Sequence, residues 1–159
     1  MPIEDVVTKI KTTLQASLPA KLDTIETERG DGIVLDDIAF FSITRLQRDE
    51  YFARPALFIL GENTPFTIVT IGGNRERAKY RIEMCVVVED NDEERLQKKL
   101  WRYFEGIKRV LSLDRRLGET VHSIEVTDLL TFSNVFKESS TPERTIFLLT
   151  EVIEDYQII

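Results

Sequence analysis

Ala78-Lys79-Tyr80-Arg81-Ile82-Glu83-Met84-Cys85-Val86-Val87-Val88-Glu89, running through Asp90-Asn91-Asp92 into Glu93-Glu94-Arg95-Leu96, is the stretch that decides the fold. In its first part Tyr80, Ile82, Met84, Val86 and Val88 alternate with Lys79, Arg81, Glu83 and Cys85, the period of a strand with one apolar side. Val87 breaks the alternation near the end. A half-polar strand of this kind predicts an antiparallel sheet with one face buried, because a parallel sheet covered on both faces would be apolar throughout. In the second part Asn91 or Asp92 can cap a helix whose first turn holds Asp92, Glu93 and Glu94. Leu96, Leu100, Tyr103, Phe104, Ile107, Val110 and Leu111 give that helix one apolar face, expected to lie on the inner side of the sheet. Lys108, Arg109, Arg115 and Arg116 gather toward its end, and Gly118 marks the exit.

Upstream of this core, Ala56-Leu57-Phe58-Ile59-Leu60 and Phe66 to Ile71 read as two short strands, closed by Gly61-Glu62-Asn63 and by the hairpin turn Gly72-Gly73-Asn74. Ile33 to Pro55 reads as a long irregular connection, with Ile38-Ala39-Phe40-Phe41 as a possible short strand. Ile3, Val6, Val7, Ile10, Leu14 and Leu18 recur at helical spacing. Pro19 lacks an amide donor and predicts a break, with a second short helix through Leu22 and Ile25 to about Arg29. Downstream, Val121 to Phe132 and Thr145 to Tyr156 read as strands of a long hairpin joined by the polar stretch Ser133 to Glu143. The expected architecture is α+β in the order ααβββαββ, an antiparallel or mixed sheet packed against the N-terminal helix and one long helix. The 159 residues are of single-domain size and contain no repeat or linker, so one domain is expected over 1–159.

Composition narrows the function classes. Basic residues number 21 and acidic residues 28, a net charge of −7 that opposes a general nucleic-acid or anionic-membrane surface. Cys85 is the single cysteine and His122 the single histidine, so neither a disulfide framework nor a soft-metal site can be built within one chain. No apolar run is long enough to span a bilayer, and charged residues punctuate Met1 to Leu18 where a signal would be apolar. The expected setting is a cytosol, without membrane association.

Chemistry-bearing motifs are sparse. His122 has no recognisable partners, and Cys85 in mid-strand reads as a small buried hydrophobe. Asp36-Asp37 and Glu89 to Glu94 lack the spaced ligands of a calcium loop, and Gly72-Gly73-Asn74-Arg75 does not open a helix as a phosphate loop would. No nucleophile elbow, zinc-protease helix or Walker sequence occurs. The chain reads as non-enzymatic, with no cofactor and no metal. A hydrolase would have to work through Asp36 or Asp37 in a cleft.

Charge and aromatics point instead to surfaces. Arg95 to Arg116 carries eight basic residues against Glu105 and Asp114, whereas Glu119 to Ile159 carries eight acidic residues against Lys137 and Arg144. Either the helix has a solvated face matched to its dipole, or a basic surface on one subunit meets an acidic one on another. Trp101 falls on the polar side of the long helix, where it is either covered by the 33–55 connection or serves as an interface anchor. Phe40, Phe41, Tyr51 and Phe52 pose the same alternative. The candidate interface residues are Phe40, Phe41, Tyr51, Phe52, Trp101, Arg102 and Lys108.

This ordered series resembles the tail-terminator, or tail-completion, proteins of tailed bacteriophages and prophages. The features that carry the likeness are the helix with Leu14 and Leu18, Pro-Ala-Leu-Phe-Ile-Leu at Pro55 to Leu60, Tyr80 to Val88 ending in Glu-Asp-Asn-Asp, the helix from Glu93 to Leu113, and Leu117-Gly118-Glu119-Thr120-Val121 leading into a strand. It covers Pro55 to the C-terminus and, loosely, the N-terminal stretch through Gly30; Ile33 to Pro55 lies outside it. The resemblance implies a structural virion protein that self-associates as a ring, commonly a hexamer, closing the tail and docking to the head or neck. Its partners would be copies of itself, the tail tube and the head–tail connector. DNA would pass through without specific binding, and the protein would reside in the virion after assembly in the host cytoplasm. The alternative is a cytosolic protein- or ligand-binding module using the 33–55 segment.

Overall fold

The computed structural model describes residues 3–44, 52–61, 67–118, 123–133 and 143–157. Element order is α1 (Ile3–Arg29), β1 (Phe40–Ser42), β2 (Ala56–Gly61), β3 (Thr67–Gly72), β4 (Arg75–Glu89), α2 (Glu93–Leu113), β5 (Ser123–Ser133) and β6 (Glu143–Gln157). The α+β class, the N-terminal helix and the long helix after the first strands are as the sequence predicts. One detail differs and one open point is decided. The N-terminal region is one continuous helix with Pro19 inside it, and the possible short strand within the 33–55 connection is present as β1 at Phe40–Ser42.

The helix runs through Pro19 because its apolar stripe does not change phase there. Val7, Ile10, Leu14, Leu18, Leu22 and Ile25 step by three or four residues across the proline, and all are buried. Packing along the whole stripe outweighs the one backbone bond that Pro19 cannot donate. Gly30, in the left-handed region, then ends the helix. Its amide donates to the Glu26 carbonyl at 3.0 Å.

The six strands form one sheet in the order β1-β2-β4-β6-β5, with β3 also paired to β4. β1 runs parallel to β2, and the remaining pairs are antiparallel. β4 is the spine: β6 pairs with it along its full length, while on its other side β2 takes the half from Ile82 to Val87 and β3 the half from Arg75 to Lys79. The β3–β4 turn is the tight hairpin read from Gly72-Gly73-Asn74, with Gly73 at the positive φ that the first central position of a primed turn requires.

Both helices lie on one side of the sheet, where Leu57, Ile59, Ile82, Met84, Val86 and Val88 meet the α1 stripe and Leu96, Leu100, Tyr103 and Ile107 of α2. The helices approach closely at Gly106, where a Cβ would sit 3.1 Å from side-chain atoms of both Leu18 and Leu22. The expectation of a single buried face holds for only part of the sheet. Ala56, Phe58, Cys85 and Val87 form a second cluster with Phe52 on the opposite side, so Met84 to Val88 is buried on both faces. Val87, the residue that breaks the alternation, belongs to that second cluster.

Candidate functional site

The entry to α2 is organised by one buried carboxylate. Asp90, only 8% exposed, lies where β4 gives way to the helix. It accepts from Arg95 Nε at 2.8 Å, pairs with Lys99 Nζ at 2.9 Å and accepts the Asp92 backbone amide at 2.9 Å. The Arg95 guanidinium, opposed by burial and aided by Lys99, holds the Asp90 carboxyl well below the usual range. Asp92 is the N-cap. Its side chain accepts from the Arg95 amide at 2.7 Å. Of the two candidate caps in the sequence, the second is used.

Five of the six basic residues of α2, Arg95, Lys98, Lys99, Arg102 and Arg109, find acids within the same chain. Arg109 donates to Glu28 at 2.7 Å and to Glu105 at 2.6 Å, and Arg29 reaches Glu105 at 3.0 Å, which makes a four-residue ladder between the two helices. Lys98 pairs with Glu94 at 2.7 Å. Arg102 forks onto both oxygens of Asp31, with Nη1 to Oδ1 at 2.9 Å, the planar geometry that suits guanidinium to carboxylate. That hydrogen bonding, against the opposing effect of burial, lowers the Asp31 carboxyl to about 2. The positive charge segregated in Arg95 to Arg116 is thus largely neutralised by α1, by the loop after it and by Asp90.

Arg102 needs correcting on this point. Read as an exposed basic contact for another subunit, it is 6% exposed and committed to Asp31, so a neighbour could engage it only by breaking a fold contact. Phe52 is also committed, packed edge-on to Phe58 with ring centroids 5.1 Å apart and under the Arg54 guanidinium. Phe40 remains 39% exposed while contacting Phe52 and Phe58, and Phe41 is half-buried against the main core. Tyr51 and His122 lie outside the described residues. Trp101 is 54% exposed beside Arg29, Lys98, Arg102 and Glu105, so the described part of the 33–55 connection does not cover it. Lys108 is exposed, its ammonium 5.9 Å from the Phe104 ring centre.

Other chemical candidates resolve into packing. Cys85 is fully buried in β4, and burial pushes its thiol far above the ordinary value. Asp36 and Asp37 are exposed. The Asp36 backbone carbonyl accepts from the Tyr103 hydroxyl at 2.6 Å, which satisfies the polar tip of a ring buried in the core. Among the described residues no three His, Cys, Asp or Glu side chains converge as a metal site would need. Depressions lined by described residues measure about 140 to 240 Å³.

One exposed surface, the outer strand β3, is absent from the candidates the sequence suggests. Ile68 and Val69 are each 52% exposed and Ile71 is 41% exposed, three apolar residues within a short strand that carries no charge. The available signal was Thr67-Ile-Val-Thr-Ile-Gly72 itself, apolar on both alternations, which in a strand means burial on both faces or exposure at an edge. No helix among the described residues is long and apolar enough to cross a membrane. Comparison with protein-family models and with curated proteins returns no match.

Proposed function

We propose that the chain is a structural assembly protein that self-associates into a ring closing a phage tail and joining it to the head or neck. The observation that carries this reading is the display of large apolar side chains at several separate places, among them Ile68, Val69 and Ile71 on β3, Trp101 on α2, Leu113 about 18 Å further along that helix, and Val34, Phe40 and Ile43 ahead of β2. A ring requires heterologous contacts, in which one patch of a subunit meets a different patch of its neighbour, and unlike apolar residues exposed at separate places suit that requirement. The element order that resembles tail terminators adds to this.

Light scattering and negative-stain imaging of the purified full chain, alone and with phage tail-tube subunits, test the proposal. A closed ring is expected in at least one condition. A chain that stays monomeric in both overturns it.

A second reading has one observation behind it. A depression of about 220 Å³ lies where Asp37, Ile38 and Phe41 cross Gln15, Leu18, Pro19 and Leu22 of α1, and a small partner group could seat there. Substituting Phe41→Ala and Gln15→Ala should then abolish pull-down of a specific partner without altering self-association.

A further inference from the structure

The proline inside α1 leaves a mark on the surface. Having no amide hydrogen, Pro19 gives nothing to the Gln15 carbonyl four residues earlier, so the helix carries in mid-length an acceptor without its helical donor. Gln15 and Pro19 lie on one helix face, and both line the depression of about 220 Å³ between α1 and the stretch leading into β1. Leu18, Ile38 and Phe41 supply its apolar walls. Among the described residues that line it, Asp37 is the one that carries a charge. Asp37 is exposed, and its carboxylate makes no ion pair or hydrogen bond among the described residues. Lys11, the basic residue one turn before Gln15 on that helix face, stands outside the lining. The depressions beside Trp101 and Tyr103 differ on this point. Around Trp101, Arg29 is paired with Glu105, Lys98 with Glu94 and Arg102 with Asp31, and beside Tyr103, Lys99 is paired with Asp90. Those charges are matched within the chain, whereas the Asp37 carboxylate and the Gln15 carbonyl stand open.

We propose that this depression binds one basic side chain, a lysine or arginine presented by a partner protein, with its hydrocarbon stem along Ile38 and Phe41 and its cationic head donating to Asp37 and to the Gln15 carbonyl. This rests on the reading that a partner group seats here, and it names the group. A carbonyl without its donor calls for an N–H, and the unmatched carboxylate beside it makes a charged donor the stronger ligand. The apolar walls select a head carried on methylenes over a bare inorganic cation, because lysine and arginine lay their stems on apolar surface while the charge stays at the wet rim. Since Asp37 is exposed, the head is reached without burying the backbone that bears it, which suits a side chain held by another protein.

Saturation-transfer NMR observed on the probe serves monomer and assembly alike, and far-UV circular dichroism establishes that each variant folds. The probes for the full chain are N-acetyl-lysine amide, N-acetyl-arginine amide, the neutral ε-acetylated lysine derivative, N-acetyl-norleucine amide and n-butylammonium. The two charged amino-acid amides are expected to bind roughly tenfold more tightly than the two neutral ones. Asp37→Asn should erase that preference, while Asp36→Asn, on the neighbouring exposed acid outside the lining, should leave it. Pro19→Ala returns an amide to the helix and should weaken the lysine derivative about threefold without changing norleucine; unchanged lysine binding in that variant overturns the part given to the Gln15 carbonyl. Equal binding of charged and neutral probes, lost in Phe41→Ala, would keep a partner site here and overturn the cation. Charged-probe binding that survives Asp37→Asn lies elsewhere and overturns the proposal. Binding of n-butylammonium without the amino-acid amides would mean a small free amine and overturn the partner side chain. If no probe binds, the cation and the seat itself both fall.

Discussion

The two halves of β4 share one strand, one side-chain period and one partner, β6, along their whole length, yet they serve different ends. From Met84 to Val88 every side chain is buried, with the helices on one face and Phe52 and Phe58 on the other. From Arg75 to Arg81 the flanking strand is β3 instead of β2, only Ala78 is buried, and the neighbouring residues Ile68 and Val69 face outward. Continuity of backbone therefore does not carry continuity of environment. The first region holds the molecule together, while the second is held up by it as a surface.

Truncation should expose that contrast most strongly. Phe58→Ala, in the second cluster, is expected to cost about 3–5 kcal/mol in urea unfolding, because a fully packed ring leaves a cavity that its neighbours only partly fill. A loss below about 1 kcal/mol would mean that the outer cluster is decoration and that the two halves differ less than their burial suggests. Asp90→Asn tests the junction that turns the buried half into α2. Arg95 and Lys99 would lose their shared counter-charge at a nearly buried position, and a loss of about 1–3 kcal/mol is expected by the same measurement. Stability equal to wild type would show that the helix cap at Asp92 organises this entry alone.

A smaller effect belongs to pH. Hydrogen bonding from Arg102 lowers Asp31 from 3.8 to about 2 in the folded chain. A carboxyl depressed by folding adds stability above its unfolded pKa and loses it as the pH falls through the folded value. Melting temperature should therefore drop between about pH 4 and pH 2, and Asp31→Asn should drop less over that window. Parallel curves for the two proteins would count against the pair. Smallest of all, Val69→Ser in the exposed half should change the stability of the monomer by no more than about 0.5 kcal/mol, measured at concentrations too low for association. A larger loss at that dilution would mean that β3 is packed within its own chain.

Much of the architecture was legible because its signals are local. Alternation from Tyr80 to Val88, the apolar face from Leu96 to Leu111, and the paired glycines at 72 and 73 each depend on residues within a turn or two of one another. Pro19 was misread for the opposite reason: its local penalty is real, but the residues that outweigh it sit on α2 and on the sheet. The candidate surface was less legible still. Trp101 lies exposed, as one of its two readings required, whereas Arg102 and Phe52 serve the fold. The strand Phe66 to Ile71 was visible, but nothing in those residues says that, among the described residues, no strand pairs with its outer edge.

The amino-acid order by itself determined the α+β class, the ends of the long helix and the face each β4 side chain takes, because helix and strand periods are set by neighbours along the chain. Among the described residues, tertiary structure alone decided which acids Arg95, Lys98, Lys99, Arg102 and Arg109 of α2 meet, that β4 is buried on both sides in one half only, and that no strand pairs with the outer edge of β3. Arg102 and Asp31 are 71 positions apart, and Arg109 and Glu28 are 81 apart. Contacts at such separations follow from how elements pack, which no short window of sequence contains.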